Sequence, residues 1–220
     1  MKISFPIVAL LGLALAACGG NDNGNSGNTA TSTTEAKVSV TALGAGSYDV
    51  VLGDESTPTV GHYYAAADGS RYLIVDDSNA LATAVYKDAA DGSWKRVPAS
   101  ASDVSISFLS NSTSTTLKAI DLNALARSYV ALVQGSAVAF SLSADGKIVA
   151  SSSASCKLNG TVGADVVQGA RKLSLSTAGC GALPATLQGL MIADGDYAPA
   201  VLRFVLDDGS QITELWAYAE

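Results

Sequence analysis

The feature that most constrains the fold is a turn sequence that recurs between apolar runs. Asp-Gly-Ser occurs at residues 68–70, 91–93 and 208–210, and Asp-Gly-Lys occurs at 145–147. Two apolar runs joined by Asp-Gly are typical of a β-hairpin, because Gly adopts the positive φ that the turn needs and Asp bonds the backbone beyond it. The unequal spacing of the copies argues against a solenoid or propeller. The turns therefore predict hairpins.

The apolar runs beside these turns predict the strands. The predicted hairpins pair 61–66 with 71–75, 80–87 with 94–97, 138–143 with 148–152, and 201–206 with 212–218. Further predicted strands are 37–43, 47–52, 104–109, 157–162, 171–176 and 187–193. Many short strands with turn signals predict an all-β fold, an antiparallel sandwich or barrel of roughly ten strands. Two packed β halves, 36–120 and 136–220, are the alternative.

One stretch has a helical pattern as well as a strand pattern. Residues 121–133 read DLNALARSYVALV, in which Asp121 could cap a helix and Leu122, Leu125 and Tyr129 share a helical face. The same residues also fit a strand. The sequence leaves both structures open here.

The N-terminus carries a targeting signal. Lys2 precedes an apolar run at 3–14, which is too short to span a bilayer comfortably. The next residues, Leu15-Ala16-Ala17-Cys18, resemble the lipobox of bacterial lipoproteins. The resemblance covers only this end of the chain. It implies a signal peptide at 1–17, cleavage before Cys18, and a lipid on Cys18 that anchors the protein to a membrane. An ordinary secretory signal with a chance cysteine is the alternative.

The residues after the lipobox predict a tether. By the same resemblance, Gly19 at the position after the cysteine favours the outer membrane and leaves its face open. Residues 19–35 read GGNDNGNSGNTATSTTE and contain no large apolar side chain. A flexible segment of this composition has a root-mean-square reach of about 20–25 Å. We therefore expect 18–35 to be a lipidated tether and 36–220 to be a β domain.

The other two cysteines, Cys156 and Cys180, predict a disulfide. An exported chain enters an oxidising compartment, and Cys18 is assigned to the lipid. No CxxC or HxxxH pattern favours a metal site instead. A calcium loop needs a series of alternating oxygen ligands, which the Asp-Gly-Ser turns lack; Asp194-Gly195-Asp196 comes nearest. The sequence predicts no metal site and no cofactor.

Composition also bears on partners. The formal net charge is −7, and removal of residues 1–17 with Lys2 makes it −8. An acidic chain without a basic cluster is a poor candidate for binding nucleic acid. The partners left open are another envelope protein or a glycan.

Few residues suggest catalysis. His62 is the one histidine, and the pairs Asp76-Asp77 and Asp207-Asp208 are the nearest approach to the two carboxylates of a glycosidase. We predict that His62 lies at the core edge or surface and that the four acids are solvated turn residues.

Aromatic side chains in the predicted strands are better candidates for recognition. If they share an exposed face, they could stack on a sugar or anchor a protein. If they point inward, they are core residues, which we expect for most of them. The candidate binding surface comprises Tyr63, Tyr64, Tyr72, Trp94 and Trp216.

The sequence therefore predicts a lipid-anchored envelope lipoprotein that acts as a binding or structural module and not as an enzyme. One alternative is an inhibitor or immunity protein that blocks a periplasmic hydrolase with the cysteine-closed loop 156–180. Another is a hydrolase that uses His62 or the turn acids.

Overall fold

The computed structural model describes residues 35–110 and 112–220, which form sixteen β-strands and one short α-helix. The first eight strands are β1 (Val38–Val40), β2 (Gly46–Asp54), β3 (Thr57–Ala65), β4 (Ser70–Asp76), β5 (Ala82–Ala89), β6 (Lys95–Val97), β7 (Val104–Ile106) and β8 (Thr113–Thr115). After α1 (Leu122–Leu125) come β9 (Arg127–Val133), β10 (Ser136–Leu142), β11 (Lys147–Ala150), β12 (Lys157–Val167), β13 (Ala170–Ala178), β14 (Thr186–Ile192), β15 (Leu202–Asp207) and β16 (Ile212–Ala219). The predicted all-β fold is confirmed.

The last eight strands close into an antiparallel barrel, in the order β10-β11-β12-β13-β14-β15-β16-β9. Strand β9 closes it, because Ala131 lies opposite Val138 of β10 on one side and Ala217 of β16 on the other. Apolar side chains fill the interior. The ring centroids of Tyr129 and Phe140 are 5.7 Å apart, and those of Phe140 and Phe204 are 5.9 Å apart. The barrel therefore has a packed core.

Two glycines let neighbouring barrel strands approach closely. A Cβ on Gly160 would lie 2.3 Å from the Ser174 carbonyl oxygen, and one on Gly189 would lie 2.1 Å from that of Val205. Any larger residue would push these strands apart.

The N-terminal strands form a six-stranded antiparallel sheet in the order β6-β5-β4-β3-β2-β8. Strands β1 and β7 form a separate parallel pair, which departs from the antiparallel prediction. Val40 of this pair belongs to the core on one face of the sheet, with Tyr63. On the other face, Tyr64 belongs to a core shared with Leu190 and Val205 of the barrel. The sheet thus lies between the strand pair and the barrel.

The recurring Asp-Gly sequences are hairpin turns, as predicted. They join β3 to β4, β5 to β6, β10 to β11, and β15 to β16. Gly69, Gly92, Gly146 and Gly209 have φ values of 89°, 79°, 81° and 90°. These hairpins depend on residues only a few positions apart, and each formed where the sequence placed it.

The ambiguous stretch 121–133 divides between the two structures. Asp121 caps α1 by accepting a hydrogen bond from the Asn123 backbone N–H, but the helix ends at Leu125. From Arg127 the chain is strand β9, and Tyr129 points into the barrel core. Because β9 completes the barrel, tertiary pairing decides the conformation. The barrel therefore begins at Arg127, whereas the alternative of two β halves placed the start of the second half at residue 136.

The predicted disulfide is present. Cys156 and Cys180 are bonded with an S–S length of 2.04 Å, and their Cα atoms are 4.5 Å apart. They lie just outside the paired ends of β12 and β13, where Lys157 is opposite Ala178. The predictions for the signal peptide, for Cys18 and for nearly all of the tether lie outside the described residues.

Candidate functional site

The densest group of ionisable side chains lies where the sheet packs on the barrel. Arg203 of β15 is fully buried and donates hydrogen bonds to three residues, two on the side of the six-stranded sheet and one in the barrel. Its Nη1 and Nη2 donate to Asp76 Oδ2 and Oδ1 at 3.1 and 2.7 Å. Its Nε donates to Glu214 Oε1 at 2.9 Å, and Nη2 also donates to the Ala80 carbonyl at 3.2 Å. Arg203 therefore joins β4 of the sheet to β16 of the barrel.

His62 extends this group towards solvent. Its Nε2 is 3.3 Å from Asp76 Oδ2, and its Nδ1 is 2.9 Å from Asp49 Oδ1. The exposed fraction of the side chain falls from 49% at Asp49 to 27% at His62 and 6% at Asp76. We call Asp49, His62, Asp76, Arg203 and Glu214 the charge network. It runs from the surface to the buried interface.

The network favours the charged forms of His62 and Asp76. Burial lowers the pKa of His62, but hydrogen bonds and charges from Asp76 and Asp49 outweigh burial and raise that pKa above its usual value of 6.5. Burial raises the pKa of Asp76, but His62 and Arg203 outweigh it and bring that pKa to about 2. The imidazolium form of His62 and the carboxylate form of Asp76 therefore stabilise each other.

The raised pKa of His62 makes stability depend on pH. The imidazolium stabilises the fold fully below pH 6.5, and we expect this contribution to be lost as pH rises through the higher folded-state pKa. His62→Gln should remove this loss, because Gln keeps hydrogen-bonding capacity without titrating. Urea unfolding of both proteins across neutral and alkaline pH measures it. The chain has one histidine, so equal pH dependence in the two proteins would contradict the assignment.

Catalysis by His62 would need a free ring nitrogen facing a nucleophile. Both ring nitrogens instead face carboxylates. The arrangement is thus better suited to linking β2, β3 and β4 of the sheet than to transferring a proton. The prediction of a core-edge histidine agrees with its half-buried position.

Two of the four predicted turn acids lie elsewhere than expected. Asp77 and Asp208 are exposed and accept hydrogen bonds within their turns, Asp77 from the Asn79 N–H at 2.8 Å and Asp208 from the Ser210 N–H at 2.8 Å. Asp76 and Asp207, in contrast, are buried. Asp207 accepts from Lys87 Nζ at 2.7 Å, a second ion pair between barrel and sheet. The prediction was wrong for Asp76 and Asp207, because each is the last residue of a strand that faces the interface.

The five candidate aromatics do not form one surface. Tyr63 and Tyr64 are buried on opposite faces of the sheet, because neighbouring strand residues alternate. The ring centroids of Trp94 and Tyr63 are 6.2 Å apart. Tyr72 packs on the same face of the sheet as Tyr64. Trp216 is covered by the Arg203 guanidinium, whose Cζ lies 5.1 Å from its ring centroid. As expected for most of them, Tyr63, Tyr64, Tyr72 and Trp94 lie in or pack against cores, whereas Trp216 is half-buried and belongs to no core cluster.

The cysteine-closed segment 156–180 is part of the barrel wall. It forms strands β12 and β13, and its turn end packs on the sheet through Val166 and Ala170. The inhibitor alternative would use this segment as a loop that inserts into an enzyme. In the structure it is a hydrogen-bonded hairpin.

A cleft at one end of the barrel is large enough to hold a ligand. Its two sides are residues 116–125, which lead from the sheet into the barrel, and residues 193–201, which join β14 to β15. The volume is about 670 Å³, within the range of about 300–1,000 Å³ that small-ligand sites occupy. We call it the end cleft. No local sequence pattern indicates it, since its two sides lie about seventy residues apart along the chain.

Apolar side chains form the floor of the end cleft. Ile120, Leu125, Ala193 and Val201 line it and pack against the barrel core. Its charged groups are Lys118, Asp121 and Asp194. Among the described residues that line the cleft there is no His, Cys or Ser side chain.

Three further findings concern membrane-spanning helices, metal sites and related proteins. In 35–110 and 112–220, no helix has the length and apolar character needed to cross a membrane. The same residues contain no cluster of three or more His, Cys, Asp or Glu side chains arranged to hold a metal ion. The chain matches no protein-family model, no curated protein and no solved structure, so its own residues carry the functional argument.

Proposed function

We propose that the chain is a lipid-anchored lipoprotein of the bacterial envelope whose β domain acts as a non-enzymatic binding module. The end cleft carries this proposal. It is preformed by two segments packed on the barrel core, and its lining is apolar with a few charges at the edge. Sites of this kind bind ligands or partner segments.

Two features support location in the envelope. Leu15-Ala16-Ala17-Cys18 resembles a lipobox, and Gly19 favours the outer membrane by that resemblance. The Cys156–Cys180 disulfide is expected in an oxidising compartment outside the cytoplasm. A lipid on Cys18 would hold the binding module at a membrane, because multiple acyl chains give durable anchoring where one does not.

Replacement of Cys18 tests the anchor. Cys18→Ala should move the protein from the membrane fraction to the soluble fraction, and metabolic labelling with a fatty acid should no longer mark it. Gly20→Ala keeps Cys18 and should behave as the parent chain. A Cys18→Ala protein that stays in the membrane fraction would overturn the lipid anchor.

Site-specific photo-crosslinking tests the binding role. A photoreactive amino acid at Ala124, an exposed cleft residue, should give a defined adduct in the native host. The same group at Ala137, an exposed residue of β10 on the barrel wall, is the matched control. Equal adducts from both positions, or none at Ala124, would contradict a binding role for the end cleft.

A further inference from the structure

The chain segment beside the end cleft has unpaired main-chain groups. Residues 116–121, which we call the connector, run from β8 to α1 without a turn or bend. At 116–120, neither the N–H nor the C=O groups bond any described residue. The connector therefore offers the same hydrogen-bonding groups as the open edge of a β-sheet, where an added strand can pair.

The connector is held in place by its own apolar side chains. Leu117 packs into the core between the sheet and the barrel, and Ile120 packs against the barrel core. A Cβ on Gly169 would lie 2.4 Å from Leu117 Cβ, which shows how closely Leu117 approaches the turn between β12 and β13. Because the connector is fixed beforehand, a partner that pairs with it avoids part of the ordering cost of binding.

The charged side chains that line the cleft favour a partner with positive charge. Asp121 and Asp194 each use Oδ1 to accept a backbone N–H, from Asn123 at 2.9 Å and from Asp196 at 3.1 Å. No described residue donates to either Oδ2. With Lys118 as the one cation, two carboxylates leave the lining with a net charge of −1. A basic group on the partner would complement it.

We infer that the end cleft binds an extended segment of a partner protein by strand addition along the connector. The segment pairs its backbone with residues 116–120 and places apolar side chains on the floor at Ile120 and Val201. A Lys or Arg of the segment lies near Asp121 or Asp194. This inference rests on the proposed binding function and names the class of partner.

Other occupants fit these observations less well. An acyl chain would fill the apolar floor, but its carboxylate or phosphate would meet two aspartates, and it could not use the main-chain groups of the connector. The chain's own residues 19–34 contain neither a basic residue nor a large apolar one. A basic, apolar peptide uses all three features of the cleft.

Peptide selection tests the inference directly. A phage-displayed library of random 12-residue peptides would be panned on the full lipidated chain in nanodiscs, and enriched peptides measured by calorimetry. We expect enriched sequences to alternate apolar residues and to contain Lys or Arg. Ala124→Trp should block them, whereas Ala137→Trp on the barrel wall should not. No enrichment, or equal binding to both variants, would overturn the inference.

Two proline variants separate strand addition from simple apolar binding. Successive N–H groups of an extended segment point to opposite sides, so one of Lys118→Pro and Ala119→Pro should remove a donor that faces the peptide. That variant should weaken binding about threefold to tenfold more than the other, measured with selected peptides in which Lys and Arg are replaced by Gln so that loss of the Lys118 charge does not contribute. Equal affinity of both variants and the parent chain would overturn strand addition.

Two aspartate variants test whether charge determines which peptides bind. Asp121→Asn and Asp194→Asn keep the capping oxygen but remove the charge. Together they should abolish the preference for Lys or Arg in selected peptides, and an unchanged preference would contradict the proposed charge pairing. A defined adduct at Ala124 with no enriched peptide would leave the binding module standing and refute its peptide partner.

Discussion

Arg203→Ala is expected to lower the free energy of unfolding by about 3–5 kcal/mol, because it leaves the buried Glu214 carboxylate without a cation and leaves Asp76 with His62 as its remaining partner. Both acids are nearly buried, with side-chain exposures of 6% and 9%, so water cannot readily replace the guanidinium. The loss should show in urea unfolding at neutral pH as a lower midpoint. It should be smaller in acid, where the two carboxylates can take up protons.

Lys147→Ala is the matched control for charge removal. Lys147 pairs with Asp145 at 2.9 Å, but both side chains are largely exposed, so stability should change little. Arg203→Lys keeps the charge and loses the fork that bonds both Asp76 oxygens, so it should fall between the parent chain and Arg203→Ala. Arg203→Ala and Lys147→Ala proteins of equal stability would show that the network does not hold the interface.

The charge network specifies geometry more than it adds stability. Removing two or more charges from water is costly, and well-packed apolar residues of similar volume often serve as well or better. The network fixes the position of β4 against β15 and β16. The Arg203 guanidinium can make all of its hydrogen bonds only where Asp76, Glu214 and the Ala80 carbonyl converge.

The features that depend on near neighbours in the chain could be predicted from the sequence. The Asp-Gly turns set their own conformation within four residues, so all four hairpins formed as expected. The disulfide followed from counting, because Cys156 and Cys180 were the two cysteines left for an oxidising compartment. The all-β class followed from strand periodicity.

The features that depend on distant pairing could not be predicted. Asp76 and Arg203 lie 127 residues apart, and no local pattern shows that they meet. One sequence feature does indicate that Arg203 is buried. It is the single charge in Val201-Leu202-Arg203-Phe204-Val205, a run that is otherwise apolar on both faces of the strand. Such a strand is buried on both sides, so its arginine requires an acidic partner in the interior. The end cleft left no comparable trace.

Removal of the disulfide is expected to lower the free energy of unfolding by about 3–3.5 kcal/mol in the chain-entropy model. Cys156→Ala with Cys180→Ala should show this loss in urea unfolding without reductant. The native structure should survive, because β12 and β13 remain paired from Lys157–Ala178 to Val167–Ala170, with shifts in register after Val162. The bond therefore acts mainly on the unfolded chain, in which it closes a loop between residues 24 positions apart.

Reductant separates this effect from packing at the two sites. Adding it should destabilise the parent chain by about the loss seen in the double variant and leave the double variant unchanged. If reduction costs much less than the substitutions, the difference belongs to the side chains, which are both buried in the barrel core. If neither change lowers stability, the unfolded chain must already keep this hairpin closed, and the entropic account of the bond fails.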